Sequence, residues 1–246
     1  MTTFSVIGTP IGNLEDITLR ALKVLASTDL ILCEDTRTTR KLLEKYDIKT
    51  KTLSYHVHSN QNRSKEIITL LKEGKNLALV SDAGTPGISD PGIELVGQIR
   101  RELEAEIKDG SIKIEVIPGP SALTAALSIA GVSASQFTFL GFLPHKKGRE
   151  TLFKEIAFSK RTMVFYESSH RIMKTLDSLN IHNNGSDSLT SKKVTVCREL
   201  TKIYEEVVSG SALVVKEYFE KNSDKVRGEF VVIVEAFLRQ GYEGQT

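Results

Sequence analysis

The chain has 246 residues, enough to bury one large core or two modest ones. Apolar residues make up 40% and charged residues 26%, a balance that excludes a long disordered chain. The net charge of +2 excludes a bulk polycation, so any grip on a nucleic acid has to come from a local patch.

Short apolar runs at residues 4–8, 30–34, 53–55, 77–82 and 114–117 predict strands. Between them lie apolar residues at helical spacing, such as Leu19, Leu22 and Ala26, then Ile67, Leu70 and Leu71. That alternation predicts βαβ units and a parallel sheet. The run 77–80 is apolar without alternation, as in a strand covered on both faces. The second half has another rhythm. Strands are expected at 137–143, 162–166, 194–197, 204–208 and 229–237, with helices at 148–158, 170–179 and 212–219. Closely spaced strands with fewer helices predict a mixed or antiparallel sheet. The fold class is therefore α/β, with a junction near 118–121 and two domains, 1–120 and 121–246. Residues 183–191 are polar, contain Gly185 and read as an exposed loop.

Cys33 and Cys197 both sit in apolar runs and read as buried thiols. Two cysteines supply neither a disulfide framework nor a metal cage, and they suit a reducing compartment. No apolar run is long enough to span a bilayer, and no secretory signal is visible at the start. A cytoplasmic protein is expected. His56 and His58 stand two apart without a third ligand, so surface histidines are expected there and no metal. Phe137, Phe139 and Phe142 are expected in the core.

Three loops follow predicted strands. The first, 81–92, contains Gly84, Pro86 and Gly87 among small polar residues, with Asp90 placed to cap a helix that Pro91 opens. Glycines there permit positive φ and close approach of a ligand to the backbone. Loops at the carboxyl ends of strands are where open α/β sheets bind ligands. The second, 118–122, opens a helix rich in alanine, whose first amides are suited to a carboxylate. The third, 8–13, has two glycines flanking a proline and lacks the spacing of a dinucleotide loop. Each of these loops also has a plain reading, as a rigid connector or a tight packing site.

The motifs stand in a fixed order. They are residues 8–14 (Gly8 to Leu14), 34–37 (Glu34 to Arg37), 81–92, 118–122, 141–144 (Gly141 to Pro144), 165–168 (Phe165 to Ser168) and 198–202 (Arg198 to Lys202). Together they resemble the ribosomal RNA small subunit methyltransferase I group of the tetrapyrrole methylase superfamily. The resemblance runs from about residue 4 to residue 238. It implies two α/β domains, the first mostly parallel and the second mixed, with S-adenosylmethionine in the cleft between them. It also implies a homodimer and 2′-O-methylation of a cytidine in 16S ribosomal RNA, within the small ribosomal subunit. By that analogy the cofactor lies against Pro10, Asp82, Ala83, Gly84, Thr85, Ile88, Ser121, Ala122 and Tyr166.

Asp35 and Glu167 follow predicted strands and are the candidate bases, with a helix cap and a pair to Arg171 as their plainer readings. Arg37, Arg40 and Lys41, then Lys146, Lys147 and Arg149, then Arg198, are the candidate RNA contacts. Two rivals remain: a tetrapyrrole methylase, disfavoured by the composition of the loop 8–13, and a non-catalytic RNA-binding protein on the same fold.

Overall fold

The computed structural model describes residues 1–55, 61–90, 92–183 and 192–236. His56, His58, Gly185 and Pro91 lie outside them. By its internal contacts the chain divides into two compact units, Met1–Ser121 and Ala122–Thr246.

The first unit runs β1 (Thr2–Ile7), α1 (Leu19–Ser27), β2 (Leu30–Cys33), α2 (Thr36–Lys45), β3 (Thr52–Ser54), α3 (Gln61–Lys72), β4 (Leu77–Val80), α4 (Gly92–Glu102), α5 (Glu104–Lys108) and β5 (Ile112–Ile117). All its strand pairings are parallel, in the order β3-β2-β4-β1-β5. The connections β1→β2→β3 run toward one edge, and β3→β4→β5 run back toward the other. Right-handed crossovers then place α1 and α2 on one face and α3 and α4 on the opposite face. The core obeys this. Ala21, Leu25, Leu42 and Leu43 pack with Ile31, Cys33, Ala78 and Val80. Ile67, Leu71, Leu95 and Ile99 pack with Phe4, Leu32, Leu77 and Leu79. β4 is buried along its whole length, which is why its sequence shows no alternation. Cys33 is buried, and burial pushes its thiol pKa up.

The second unit runs α6 (Ala122–Ile129), β6 (Phe137–Phe142), α7 (Arg149–Phe158), β7 (Thr162–Ser168), α8 (Ile172–Asn183), β8 (Lys193–Arg198), β9 (Glu206–Ser211), α9 (Ala212–Lys221) and β10 (Glu229–Val234). Its sheet order is β6-β7-β10-β8-β9, with β6 and β7 parallel and the other pairings antiparallel. A parallel pair beside an antiparallel set is the mixed sheet that the strand spacing implied. Phe153 of α7, Leu176 of α8 and Phe219 of α9 share one core with Phe165, Val196 and Val232. On the other side, the Cys197 thiol donates to the Ala126 carbonyl of α6, and burial pushes its pKa to about 11.

Three expectations shift here. β9 begins at Glu206, because 199–205 form a turn in which Glu199 and Thr201 take positive φ of 51° and 65°. The Glu205 carboxylate pins that turn by accepting from the Thr201 amide at 2.6 Å. Phe137 and Phe142 are exposed, and only Phe139 of the three is half-buried. β10 stops at Val234, three residues short of the expected end. Among the described residues no helix is long and apolar enough to cross a membrane.

Lys192 gives the second unit a pH-dependent element. Its buried ammonium donates to the carbonyls of Ile156 at 2.9 Å and Ser159 at 2.6 Å, closing the C-terminal end of α7. Burial pushes its pKa from 10.5 to about 8. Between those values the unfolded chain binds the proton and the folded chain does not, so stability rises with pH over that window. Urea unfolding between pH 8 and 10 is expected to show this rise in the wild type. Lys192→Met is expected to abolish the rise and to lower stability by about 1–3 kcal/mol, chiefly at the Ser159 carbonyl, since the Ile156 carbonyl keeps the Ser159 amide at 3.4 Å.

Candidate functional site

In the first unit, β1 and β4 are neighbours whose following helices leave on opposite faces of the sheet. That divergence opens a crevice at their carboxyl ends, the position where open parallel sheets bind ligands. Three loops meet there, after β1, β4 and β5, first, second and third in chain order. The Gly8 amide donates to the Ile117 carbonyl at 3.0 Å. Thr9 and Gly84 exchange both backbone hydrogen bonds, at 2.8 and 3.0 Å, so the first and second loops form a one-residue antiparallel bridge. The buried Thr9 hydroxyl donates to the Ser81 carbonyl at 3.1 Å. The Thr85 hydroxyl donates to the Pro120 carbonyl at 3.1 Å and ties in the third loop.

Glycine is required at particular points. A Cβ on Gly119 would stand 2.5 Å from the Gly8 oxygen, and one on Gly8 would stand 2.8 Å from the Gly119 Cα. The two backbones touch because neither carries a side chain. Gly84 and Gly87 hold φ of +82° and +88°, which β-carbons disfavour. Asp90 organises the far end, its Oδ1 accepting from the amides of Gly87 at 2.7 Å and Gly92 at 2.9 Å.

Most of the residues expected at the cofactor lie on this body. Pro10 is buried in the first loop, next to Thr9. Asp82 and Ala83 are exposed, Thr85 is half-buried, and Ile88 is 41% exposed at the crest of the second loop. Ser121 follows Pro120 directly and is half-buried. Ala122 and Tyr166 belong to the second unit. There the Leu123 amide, in the first turn of α6, faces the Tyr166 hydroxyl, whose pKa is raised by burial. The Tyr166 ring meets Phe139 and Phe142 edge-on, at centroid distances of 4.9 and 5.4 Å.

The two candidate bases stand in other roles. Asp35 caps α2, accepting from the Arg37 amide at 2.8 Å, and clasps the Arg37 guanidinium at 2.7 Å. Those bonds from Arg37 hold its carboxyl at about 2, well below the range of a base that works near neutrality. Its own amide donates to Asp82 Oδ1 at 2.9 Å, so the second loop is also fastened to the start of α2. Glu167 is buried, and donors face both its oxygens: Ser168 N and Arg171 Nε at 2.8 Å, and Thr175 Oγ1 at 2.7 Å. The pairing with Arg171 four residues on is the arrangement found.

The cationic candidates divide. Arg37, Arg40 and Lys41 are exposed on α2, and Lys146 and Lys147 are exposed in the loop before α7. Arg149 and Arg198, expected on the same surfaces, are instead 8% and 4% exposed. Arg198 donates to the carbonyls of Arg227 at 3.0 Å and Tyr204 at 3.1 Å, and Arg149 donates to Pro144 O and Thr175 Oγ1. A buried guanidinium committed to such acceptors is poorly placed to meet a phosphate. Sequence reading passed over Thr9, Gly119 and Thr175, which organise the two units. Their only signal was a place within or near a motif, since no spacing rule pairs residues so far apart in the chain.

The profile described as Tetrapyrrole (Corrin/Porphyrin) Methylases matches residues 3–213, and the chain belongs to that family. It is a methyltransferase of this family. Among its relatives is the ribosomal RNA small subunit methyltransferase I of Thermotoga maritima, 46% identical over 93% of this chain and 96% of that protein. The protein of the same name from Halalkalibacterium halodurans is 44% identical over 95% of this chain and 75% of its own length. A crystal structure of diphthine synthase superposes with a TM-score of 0.66 at 14% identity, covering 96% of this chain and 90% of that one, and so shares the fold.

The glycine contact makes a sharp test. Gly119→Ala is expected to lower unfolding free energy by about 1–3 kcal/mol, because overpacked backbone has to move. Gly110→Ala, at φ +80° with nothing within 4 Å, serves as the comparison and loses only its backbone preference, about 1 kcal/mol. Equal losses in chemical denaturation would refute the close-contact account.

Proposed function

We propose that this protein transfers a methyl group from S-adenosylmethionine to the 2′-hydroxyl of a cytidine in 16S ribosomal RNA, acting on the small ribosomal subunit as a cytoplasmic homodimer. The observation that carries this reading is the 46% identity, along 93% of the chain, to a protein named for methylating small-subunit ribosomal RNA. When bound, S-adenosylmethionine supplies a methyl on a sulfonium, which an attacking oxygen takes in line while the carbon–sulfur pair leaves on sulfur.

The first unit's loops suit such a molecule. Gly84 is required by its φ of +82°, since a Cβ there would meet Ile11 at 3.4 Å and the Pro120 oxygen at 3.7 Å in ordinary contact. Beside it, the exposed Asp82 carboxylate is suited to ribose hydroxyls or an ammonium group. Ala83 and Ile88 offer apolar surface to an adenine, and Pro10, Thr85 and Ser121 frame the same loops. By the family resemblance, Ala122 and Tyr166 of the second unit are the remaining cofactor candidates. Asp35 holds Asp82 in place through its amide. Alignment by this body supplies much of the rate, with the hydroxyl proton passing to solvent as the new oxygen–carbon bond forms. On the substrate side, Arg37, Arg40 and Lys41 on α2 are suited to RNA phosphates.

Radiolabelled S-adenosylmethionine and small subunits from cells lacking the endogenous methylation test the reaction. Label is expected on one ribose 2′-oxygen after nuclease digestion and mass spectrometry. Bound cofactor with no label on RNA would refute the RNA reading and move the search to tetrapyrroles. Binding without transfer to either would favour the non-catalytic rival.

Two variants test the assigned residues. Asp82→Asn keeps an oxygen for the Asp35 amide but removes the charge. Its Kd for S-adenosylmethionine is expected to rise about tenfold, as for one lost charge-assisted hydrogen bond, with an unchanged melting temperature. Replacing Arg37, Arg40 and Lys41 together by alanine is expected to flatten the dependence of log K for RNA on log salt by about 2 to 3. An unchanged slope would remove α2 from the interface.

A further inference from the structure

In the second unit the buried Glu167 and Arg149 meet the half-buried Arg171 where the plain stability of a core needs no ion. Arg149 and Arg171 converge on the one carboxylate of Glu167, with Thr175 between them. Thr175 Oγ1 donates to Glu167 Oε2 at 2.7 Å and accepts from Arg149 Nη2 at 2.7 Å. Arg149 Nη1 stands 3.9 Å from the same Glu167 oxygen, and its guanidinium lies 4.8 Å from the centre of the Phe153 ring. Desolvating such a set costs several kcal/mol per ion, and apolar side chains would fill the space at lower cost. Stability alone therefore gives a weak reason for it.

The remaining donors of the two arginines show what the cluster holds. Arg171 Nη1 donates to the Leu143 carbonyl at 2.8 Å, and Arg149 Nη1 donates to the Pro144 carbonyl at 3.2 Å. These are consecutive carbonyls at the start of the loop that leaves β6. The loop then exposes His145, Lys146 and Lys147, and Gly148 turns it back at φ +80°. The Arg149 amide closes it by donating to the Lys146 carbonyl at 3.2 Å. Because β6 and β7 are parallel, this loop and Glu167 lie at the same end of the sheet, as do Tyr166 and the exposed Phe142. Two guanidiniums against one carboxylate leave a surplus positive charge beneath two exposed lysines.

We infer that Glu167 is a positioning residue for the RNA substrate: through Arg149 and Arg171 it fixes the backbone of Leu143 and Pro144, and so sets Lys146 and Lys147 against RNA phosphates. The inference rests on the RNA-methylating reading above. It assigns Arg149 to holding the loop and leaves the phosphate contacts to the lysines. An aromatic ring beside fixed cations is a combination suited to an unpaired nucleotide, so the contact is expected close to the target.

The test uses full-length protein, labelled S-adenosylmethionine and small subunits. It compares the wild type, Lys146→Ala/Lys147→Ala, Glu167→Gln and the triple variant. The lysine pair is expected to raise KM for RNA about tenfold and to flatten its salt dependence by about 1 to 2. Its kcat and its Kd for S-adenosylmethionine are expected to stay within about twofold, since neither lysine lies among the cofactor residues. Glu167→Gln is expected to raise KM for RNA in the same way, and to add little once both lysines are gone. Arg171→Lys keeps the charge but loses the guanidinium fork, and replaces Glu167→Gln if that variant melts below the assay temperature.

Effects of Glu167→Gln that multiply fully with those of the lysine pair would overturn the inference, because the cluster would then act elsewhere. A lysine pair that leaves KM for RNA unchanged would overturn it as well, with the RNA reading intact. Absence of transfer by the wild type would overturn the RNA reading itself, and this inference with it.

Discussion

Backbone touching backbone, at Gly8 and Gly119, is the constraint on which the first unit's site depends. Two chain segments approach this closely only where neither carries a β-carbon. Once they meet, Thr9 falls opposite Gly84 and exchanges both hydrogen bonds with it. Thr85 then reaches the Pro120 carbonyl, and Asp82 receives the Asp35 amide. Four strand ends are thereby fastened into one body at the carboxyl edge of the sheet. Its exposed residues, Asp82, Ala83 and Ile88, keep their relative positions without help from a ligand. A reaction that depends on alignment more than on acid–base chemistry needs that kind of support.

The second unit solves a similar problem with charge. Its loop after β6 is held from below by Arg149 and Arg171, and both are held by Glu167. A steric contact such as Gly8 with Gly119 has no cost in desolvation and tolerates no added atom. An ionic cluster has a large cost in desolvation but reaches farther, since each guanidinium grips a carboxylate and a carbonyl at once. Lys192 applies the same device at the C-terminal end of α7, where an ammonium donates to the carbonyls of Ile156 and Ser159.

Fold alone does not fix a substrate. Diphthine synthase shares the architecture at 14% identity, and that likeness carries the fold and nothing further. On the proposed reading, discrimination resides in residues that the framework presents, such as α2 with its three exposed cations and the loop of Lys146 and Lys147. The cofactor reading rests instead on the framework's own loops.

Much of this was legible in the chain itself. Apolar runs and helical spacing revealed a parallel half and a mixed half, because burial on both faces leaves β4 without alternation while crossover helices keep theirs. The loop glycines and Asp90 announced strand-to-helix turns, since those conformations admit few other residues. What the chain did not reveal are contacts between distant positions. Arg149 and Arg198 read as surface cations, because an arginine with a buried partner and one facing solvent have the same local pattern; only tertiary packing put carbonyls around them. Asp35 and Glu167 were candidate bases whose plainer readings, a helix cap and a pair to Arg171, were local and are the arrangements present; Thr175 and Arg149 beside Glu167 were not legible. The sequence by itself determined which segments become strands, helices and tight turns, because backbone propensity and burial pattern are local. Only the tertiary structure decided which charged groups are free, because desolvation and partnership depend on what the fold brings alongside.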